Sequence, residues 1–341
     1  MALKWLRRLC IRAADPLFGA FLYVPLGILF FKRLLGGFGN VEWDSTMIPD
    51  LHGKVAIVTG GNSAGIGYHT VRQLAAKGAK VYLAARSEYR AKEAIKRLLN
   101  ENPSIPKENL VWLPLGLSSQ TQVDGTARQF LAKTERLDIL VNNAGLDPYN
   151  YVRTADGFEM TMAVKLDNPR RISELSSSGK RNNSRQDYFT SLEDLNDPCA
   201  SPGWEDSCLA QGKRYGTSKL ANILVAKELQ RRMDEEMVSI NSLSVDPGTI
   251  RTERAANMMP FVVRPLVWLL FIDAAKGADA TMFAATVEEV KRDSDRWRGH
   301  LLDGPGVIKT SSPKARNVVT ARNLWNTTAA AVQNTGALDG I

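Results

Sequence analysis

The stretch Lys54-Val-Ala-Ile-Val-Thr-Gly-Gly-Asn-Ser-Ala-Gly-Ile-Gly67 decides how the chain folds. Val55 to Val58 is a short apolar run, β-branched at three positions, that stops at a glycine-rich turn. Beyond Gly67, Val71, Leu74, Ala75 and Ala79 recur at roughly helical spacing, so the stretch reads as strand, turn and helix. A helix that opens directly out of such a turn presents its first N–H groups and the positive end of its dipole at the strand tip. Glycine lets an anionic group approach there without a Cβ in the way. An ordinary βα turn also carries glycine, so the loop needs support from elsewhere in the chain.

The units that follow repeat this alternation. Lys80 to Ala85 reads as a second strand, Tyr89 to Leu99 as a helix and Leu110 to Leu115 as a third strand. Val123 to Leu137 reads as a helix, and Leu137 to Val141 as a fourth strand ending in Asn142-Asn-Ala-Gly145. Strands spaced by helices of this length specify βαβ units and a parallel sheet. Residues 179–212, rich in Asn, Ser, Asp and Pro, read as a surface insertion; Tyr215 to Met233 reads as a helix and Val238 to Val245 as a strand. After Ser311 the tail is small and polar, with a modest helix near Arg322 to Val332.

With 341 residues, 44% of them apolar, the chain can bury a full core. Its three cysteines have neither metal spacing nor a disulfide framework, and its three histidines suggest no metal site. The net charge of +8 owes much to Lys4, Arg7, Arg8, Arg12, Lys32 and Arg33, which flank the uncharged apolar segment Pro16 to Phe31. That arrangement argues against a nucleic-acid surface and for a membrane anchor, spanning or interfacial, although spanning helices want about 20 apolar residues. A buried N-terminal helix is the alternative. The expected organisation is an anchor and linker over 1–50, a single domain over 51–310 and a tail over 311–341. The domain would face the cytoplasm from the endoplasmic reticulum or a similar membrane.

Of eight tyrosines, only Tyr215 has a lysine four residues on. On a helix, positions i and i+4 share a face, so the ammonium of Lys219 can reach the Tyr215 phenol. A phenol ordinarily titrates near pH ~10, and a nearby cation favours its anion, which would make Tyr215 a usable acid or base. A packed tyrosine beside a solvated lysine is the plainer reading of the pair alone.

In order, Thr59-Gly60…Gly65-Ile-Gly67, Asn142-Asn-Ala-Gly145, Tyr215-x-x-x-Lys219 and Pro247-Gly248 resemble the short-chain dehydrogenase/reductase family over roughly residues 51–304. Asn62, Arg86 and Pro247-Gly-Thr-Ile-Arg-Thr252 bring the chain nearest to its retinol-dehydrogenase-like and fungal-reductase branch. The resemblance implies a Rossmann-type doubly wound parallel sheet of about seven strands and hydride transfer between a nicotinamide cofactor and an alcohol or carbonyl. It implies Tyr215 as acid/base, Lys219 as the residue that lowers its pKa and holds the nicotinamide ribose, and Ser177 as hydrogen-bond partner of the substrate oxygen. Ser176 and Ser178 are the alternatives to Ser177. Gly60, Ser63, Gly65, Ile66 and Gly67 would line the phosphates, Asn142 and Asn143 the adenosine ribose and central strand, and Ile250 and Thr252 the carboxamide.

An NAD-type site usually ends its second strand with a carboxylate toward the ribose 2′-OH. Here Arg86 follows Leu83-Ala-Ala85, and a guanidinium suits a 2′-phosphate, so the expected cofactor is NADP(H). Apolar runs near Phe261 to Ile272 suggest a hydrophobic alcohol, aldehyde or ketone.

Three features depart from the family. The glycine turn carries one extra residue across Gly61 to Ala64, and Gly116 stands where an Asp usually approaches the adenine. Lys165 stands where the family has the Asn of its proton relay, and the helix begun by Gly157-Phe-Glu-Met-Thr-Met-Ala-Val164 is cut short by Lys165-Leu-Asp-Asn-Pro169. A homodimer is the assembly the resemblance implies, through the helix that is shortened here. The alternative to a working enzyme is a nucleotide-binding membrane protein without effective catalysis.

Overall fold

A computed structural model describes residues 43–147, 149–166, 188–248, 250 and 272–336. The first sheet is built by β1 (Val55–Thr59), β2 (Lys80–Ala85), β3 (Leu110–Pro114) and β4 (Ile139–Val141), parallel throughout and in the order β3-β2-β1-β4. Its crossovers contain α1 (Ile66–Ala76), α2 (Glu88–Glu101) and α3 (Gln120–Leu131). Strand alternation sorts the side chains. Ala56, Val58, Val81 and Leu83 enter one cluster with α1 and α2, while Val55, Tyr82 and Ala84 enter another with Leu113 and with Phe130 of α3. Helices therefore cover both faces, which is why these strands read as continuous apolar runs.

The second half begins with α4 (Met160–Leu166) and α5 (Leu192–Leu195), followed by the 28-residue α6 (Cys208–Glu235). Then come β5 (Ser244–Asp246), α7 (Ala274–Thr286), the short α8 (Glu288–Arg292) and α9 (Ser294–Trp297), β6 (Leu301–Asp303), β7 (Ile308–Lys309) and α10 (Val318–Gln333). The expectation of a Rossmann-type sheet of about seven parallel strands is met in part. The described residues form a four-stranded parallel sheet and a separate three-stranded sheet, β5-β6-β7, in which only β5 and β6 run parallel. A tight turn closed by the bond from Asp303 N–H to the Val307 carbonyl sends β7 back antiparallel, as so short a connection must. The major core cluster joins the two sheets, taking in Val245, Leu302 and Phe283 along with β1 and β2.

Several boundaries differ from the sequence reading for local reasons. Trp43 and Ile48 are buried in the major cluster, so chain ahead of Leu51 already packs on the core. Helix α4 starts only at Met160, because residues 154–157 close a turn through the bond from Gly157 N–H to the Thr154 carbonyl. Residues 238–243 are not a strand: the Val238 N–H closes onto the Met233 carbonyl at the end of α6, and Val238 and Ile240 stay exposed. The described part of the polar insertion, 188–212, is more than surface, since Phe189 and Leu195 bury against Met162 and Leu224. Helix α10 packs on α6, where Arg232 lies over Trp325.

Among the described residues no helix is long and apolar enough to cross a membrane; the apolar segment Pro16 to Phe31 lies outside them. On β4, the last described strand of the first sheet, Leu140 points away from the side taken by Ile139 and Val141 and remains 40% exposed.

Asp138 ties the starts of β1 and β4 together. Its carboxylate accepts from the Val55 N–H at 2.9 Å, from Lys54 Nζ at 3.1 Å and from the Arg136 guanidinium at 2.6 and 2.9 Å. Arg136 above all holds the acid well below the usual carboxylate range, with burial working the other way. A depressed folded-state value makes the stabilisation complete above the ordinary value of 3.8 and removes it as pH falls through the lower one. Asp138→Asn should therefore cost about 1–3 kcal/mol at pH ~7 and progressively less in acid, read as urea midpoints at neutral pH and near pH ~3. A gap of the same size at both pH values would refute this.

Candidate active site

All the strands of the first sheet end at one edge, and the site is assembled there. The tips of β1 and β4 are stapled by two residues. Thr59 Oγ1 accepts from the backbone N–H groups of Asn143 (3.0 Å) and Ala144 (2.9 Å), and Asn143 Nδ2 donates back to the Thr59 carbonyl at 2.8 Å. Two glycines permit this closeness. Gly60 has φ +70°, and a Cβ there would lie 2.8 Å from Ala144 Cα. A Cβ on Gly67, in the first turn of α1, would collide with the Asn143 amide. The start of α1 is thereby seated on the joined strand tips, where its first N–H groups lack helical acceptors.

The extra residue in the turn is absorbed by a three-residue turn in which Gly65 N–H donates to the Ser63 carbonyl at 2.7 Å. Gly65 spends its own donor on the turn, while Ser63 and Ala64 stay exposed at its crest. At Gly116, the Gln122 side chain fills the space that any side chain at 116 would need. Arg86 follows β2 directly, exposed, with no described carboxylate paired to it. Ile250 pairs with Ile272 and its Cδ1 lies where a Cβ on residue 277 of α7 would fall, beside Ile66 of α1. The turn residues, Asn142, Asn143 and Ile250 are thus gathered at one end of the strands. Ser177 and Thr252 lie outside the described residues.

These features fit a dinucleotide. A helix start stands at the strand tips, and Asn143 Oδ1 is buried with no hydrogen-bond partner among the described residues. The exposed guanidinium lies one strand over. Beneath the turn at Pro247, the Asp246 carboxylate accepts from Gly248 N–H at 3.0 Å and from Lys309 Nζ at 3.0 Å. Burial pushes the Asp246 carboxyl up and the Lys309 ammonium opposes that.

Tyr215 stands on the second turn of α6, half-buried, with Lys219 Nζ 5.2 Å from its ring centroid. Ser207 caps this helix, accepting from Ala210 N–H at 3.3 Å. The i, i+4 pair therefore shares a face as its spacing requires. Sequence reasoning missed what surrounds it. Lys165, at the end of α4, is only 2% exposed and places its Nζ 3.3 Å from the same ring centroid. A Cβ added at Gly145 would stand 3.7 Å from Lys165 Cε, so the lysine stem runs from the β4 tip to the tyrosine. This contact brings Tyr215 to the nucleotide end of the sheet. The signal was the substitution at this position, which reads in the sequence only as the loss of an Asn.

Fold, glycine turn and Tyr-Lys helix together match one family, and the comparisons with known proteins agree. The profile of a family described as short chain dehydrogenase matches residues 54–174. The chain is similar to the short chain dehydrogenase/reductase dpchH of Colletotrichum higginsianum, with 68% identity over 99% of this chain and 90% of that protein. The protein belongs to the short-chain dehydrogenase/reductase family. It is also similar to retinol dehydrogenase 14 of Mus musculus, 31% identical over 81% of this chain and 85% of the relative. In structure it resembles an uncharacterized protein from Mycobacterium paratuberculosis, with a TM-score of 0.60 at 22% identity over 85% of this chain and 97% of the other. Family members are oxidoreductases that bind nicotinamide nucleotides.

The residue before the tyrosine organises the rim of this site. Arg214, 3% exposed, donates through Nη1 to the carbonyls of Pro198 (2.8 Å) and Glu205 (2.7 Å) and through Nη2 to that of Tyr149 (2.7 Å). Its Nε lies 3.7 Å from Glu159 Oε1, and Glu159 in turn accepts the Met162 N–H at the start of α4. One guanidinium joins two loops, through Tyr149 on one and Pro198 and Glu205 on the other, and the base of α4. Replacing it strands a buried carboxylate and three carbonyls, so Arg214→Met should destabilise the fold by about 3–5 kcal/mol. Arg214→Lys should recover only a fraction, because an ammonium cannot span the three acceptors. Denaturant midpoints check both, and a lysine variant as stable as wild type would contradict the clamp.

Proposed function

We propose that the protein is an NADP(H)-dependent oxidoreductase that interconverts an alcohol and a carbonyl on a hydrophobic small molecule, with Tyr215 as acid/base. The observation that carries this reading is the Tyr215–Lys219 pair, joined through Lys165 to the Gly145 end of the β4 loop. When bound, the cofactor supplies or accepts the hydride at the substrate carbon. The chain's own work is to hold a proton at the Tyr215 hydroxyl and deliver it to the substrate oxygen on reduction, or take it up on oxidation. Two ammonium groups near the ring favour the ionised phenol and so make that exchange accessible near neutral pH. Ser177 is the proposed partner of the substrate oxygen, and Lys219, Asn142, Ile250 and Thr252 the proposed cofactor contacts.

Arg86 supports NADP(H), since an exposed guanidinium at the end of β2 can take a 2′-phosphate through two parallel hydrogen bonds. The name of the mouse relative, retinol dehydrogenase, supports an apolar alcohol or aldehyde as substrate. The segment from Pro16 to Phe31, flanked by basic residues, is the proposed membrane anchor, which would keep the site near lipophilic substrates.

Consumption of NADPH with a panel of apolar aldehydes and ketones tests the reading. Tyr215→Phe should lower kcat by about 10²-fold or more. Equal rates for the two proteins would leave a nucleotide-binding protein without effective catalysis, the reading that the seven-residue α4 favours. Arg86→Asp should shift the ratio of kcat/KM for NADPH over NADH by about tenfold or more toward NADH. An unchanged ratio would remove Arg86 from cofactor selection.

A further inference from the structure

We infer that Lys165 is a second cation acting on Tyr215, a positioning residue that fixes the ring and lowers the pH at which its phenol ionises. The inference deepens the proposed function, on which it rests for its catalytic meaning. Its ground is geometric. Lys165 Nζ stands 3.3 Å from the ring centroid, nearer than Lys219 Nζ at 5.2 Å, and well inside the ~6 Å over which a cation and an aromatic face attract. Both lysines are more than nine-tenths buried. In such surroundings an ammonium is poorly screened, and its effect on a neighbouring acid is stronger than at a surface.

From α6, Lys219 and Arg214 flank the tyrosine; from α4 and the residue before it come Lys165 and Glu159. Glu159 and Arg214 face one another at 3.7 Å and largely offset each other. The two lysines are the described cations that lie over the Tyr215 ring, and an anionic ring oxygen lowers the cost of burying them. The lysine stem lies against the Gly145 position and the ring lies against its ammonium, so one side chain also sets the spacing between the β4 tip and α6. The chain thus carries a charge where its family carries a neutral amide, and the consequence is an acid/base tuned by two lysines in place of one.

The test is a tyrosinate absorbance titration of the full-length protein, with the Tyr215→Phe curve subtracted to isolate one of eight tyrosines. In wild type the Tyr215 component should titrate below the ordinary value of about 10. In Lys165→Met it should rise by about one pH unit or more, and in Lys165→Arg, which keeps the charge, it should stay near wild type. Circular dichroism certifies each fold, and Lys165→Gln replaces the methionine variant if that one does not fold. An unmoved midpoint in a folded neutral variant, or an arginine variant shifted as far as the neutral one, would overturn the inference. The titration needs neither cofactor nor substrate, so it separates the two claims. A shifted midpoint in a protein that reduces no carbonyl would refute the oxidoreductase proposal and leave this inference standing; activity with an unmoved midpoint would do the reverse.

Discussion

The site depends first on the joint between Thr59 and Asn143. Parallel strands joined by helices bring all their C-terminal ends to one edge, but an edge becomes a binding cleft only when neighbouring tips are held in register. Here one hydroxyl takes two backbone donors and one side-chain amide returns a bond to the opposite strand. Side chains at 60 or 67 would break that joint by simple overlap. The glycines of the turn therefore serve the packing of backbone on backbone as much as the approach of any phosphate.

The second dependency is on α6, which carries both the Tyr215–Lys219 pair and the Arg214 clamp. Its second turn holds Arg214 and Tyr215 in sequence, so the residue that clamps two loops is covalently next to the proposed acid/base. Rigidity of the rim is transmitted to the ring without an intervening loop. Further along, Leu224 and Arg232 anchor the polar insertion and α10, elements that carry little core of their own. The shortened α4 sets the limit on this economy. It reaches far enough to place Lys165 on the ring, yet β4 is thinly covered at Leu140, which stays 40% exposed.

The parts legible in the sequence are those where one local pattern has one physical outcome. Val55 to Gly67 could only be strand, turn and helix, and Tyr215 with Lys219 could only share a helical face. What was not legible depended on partners distant in the chain. The apolar run from Val238 looks like a strand until α6 closes onto it and leaves Val238 and Ile240 without a ladder. The beginning of α4 looked earlier than Met160 because a turn closed by Thr154 and Gly157 is not a matter of apolar spacing. Arg214 and Glu159 are far apart in the chain, and only the fold reveals them as a buried pair. Lys165 read as a missing amide, since nothing in the sequence says which ring its ammonium will meet.

The account turns on hydride exchange at the edge of the four-stranded sheet. The direct measurement is to offer NADPH deuterated at C4 of the nicotinamide together with apolar aldehydes and ketones, and to locate the label in the products by mass spectrometry. The account predicts deuterium on the carbinol carbon of a product alcohol, from one face of the nicotinamide only. Alcohol formed without the label from either face, or no alcohol from any carbonyl while NADPH demonstrably binds, would contradict it.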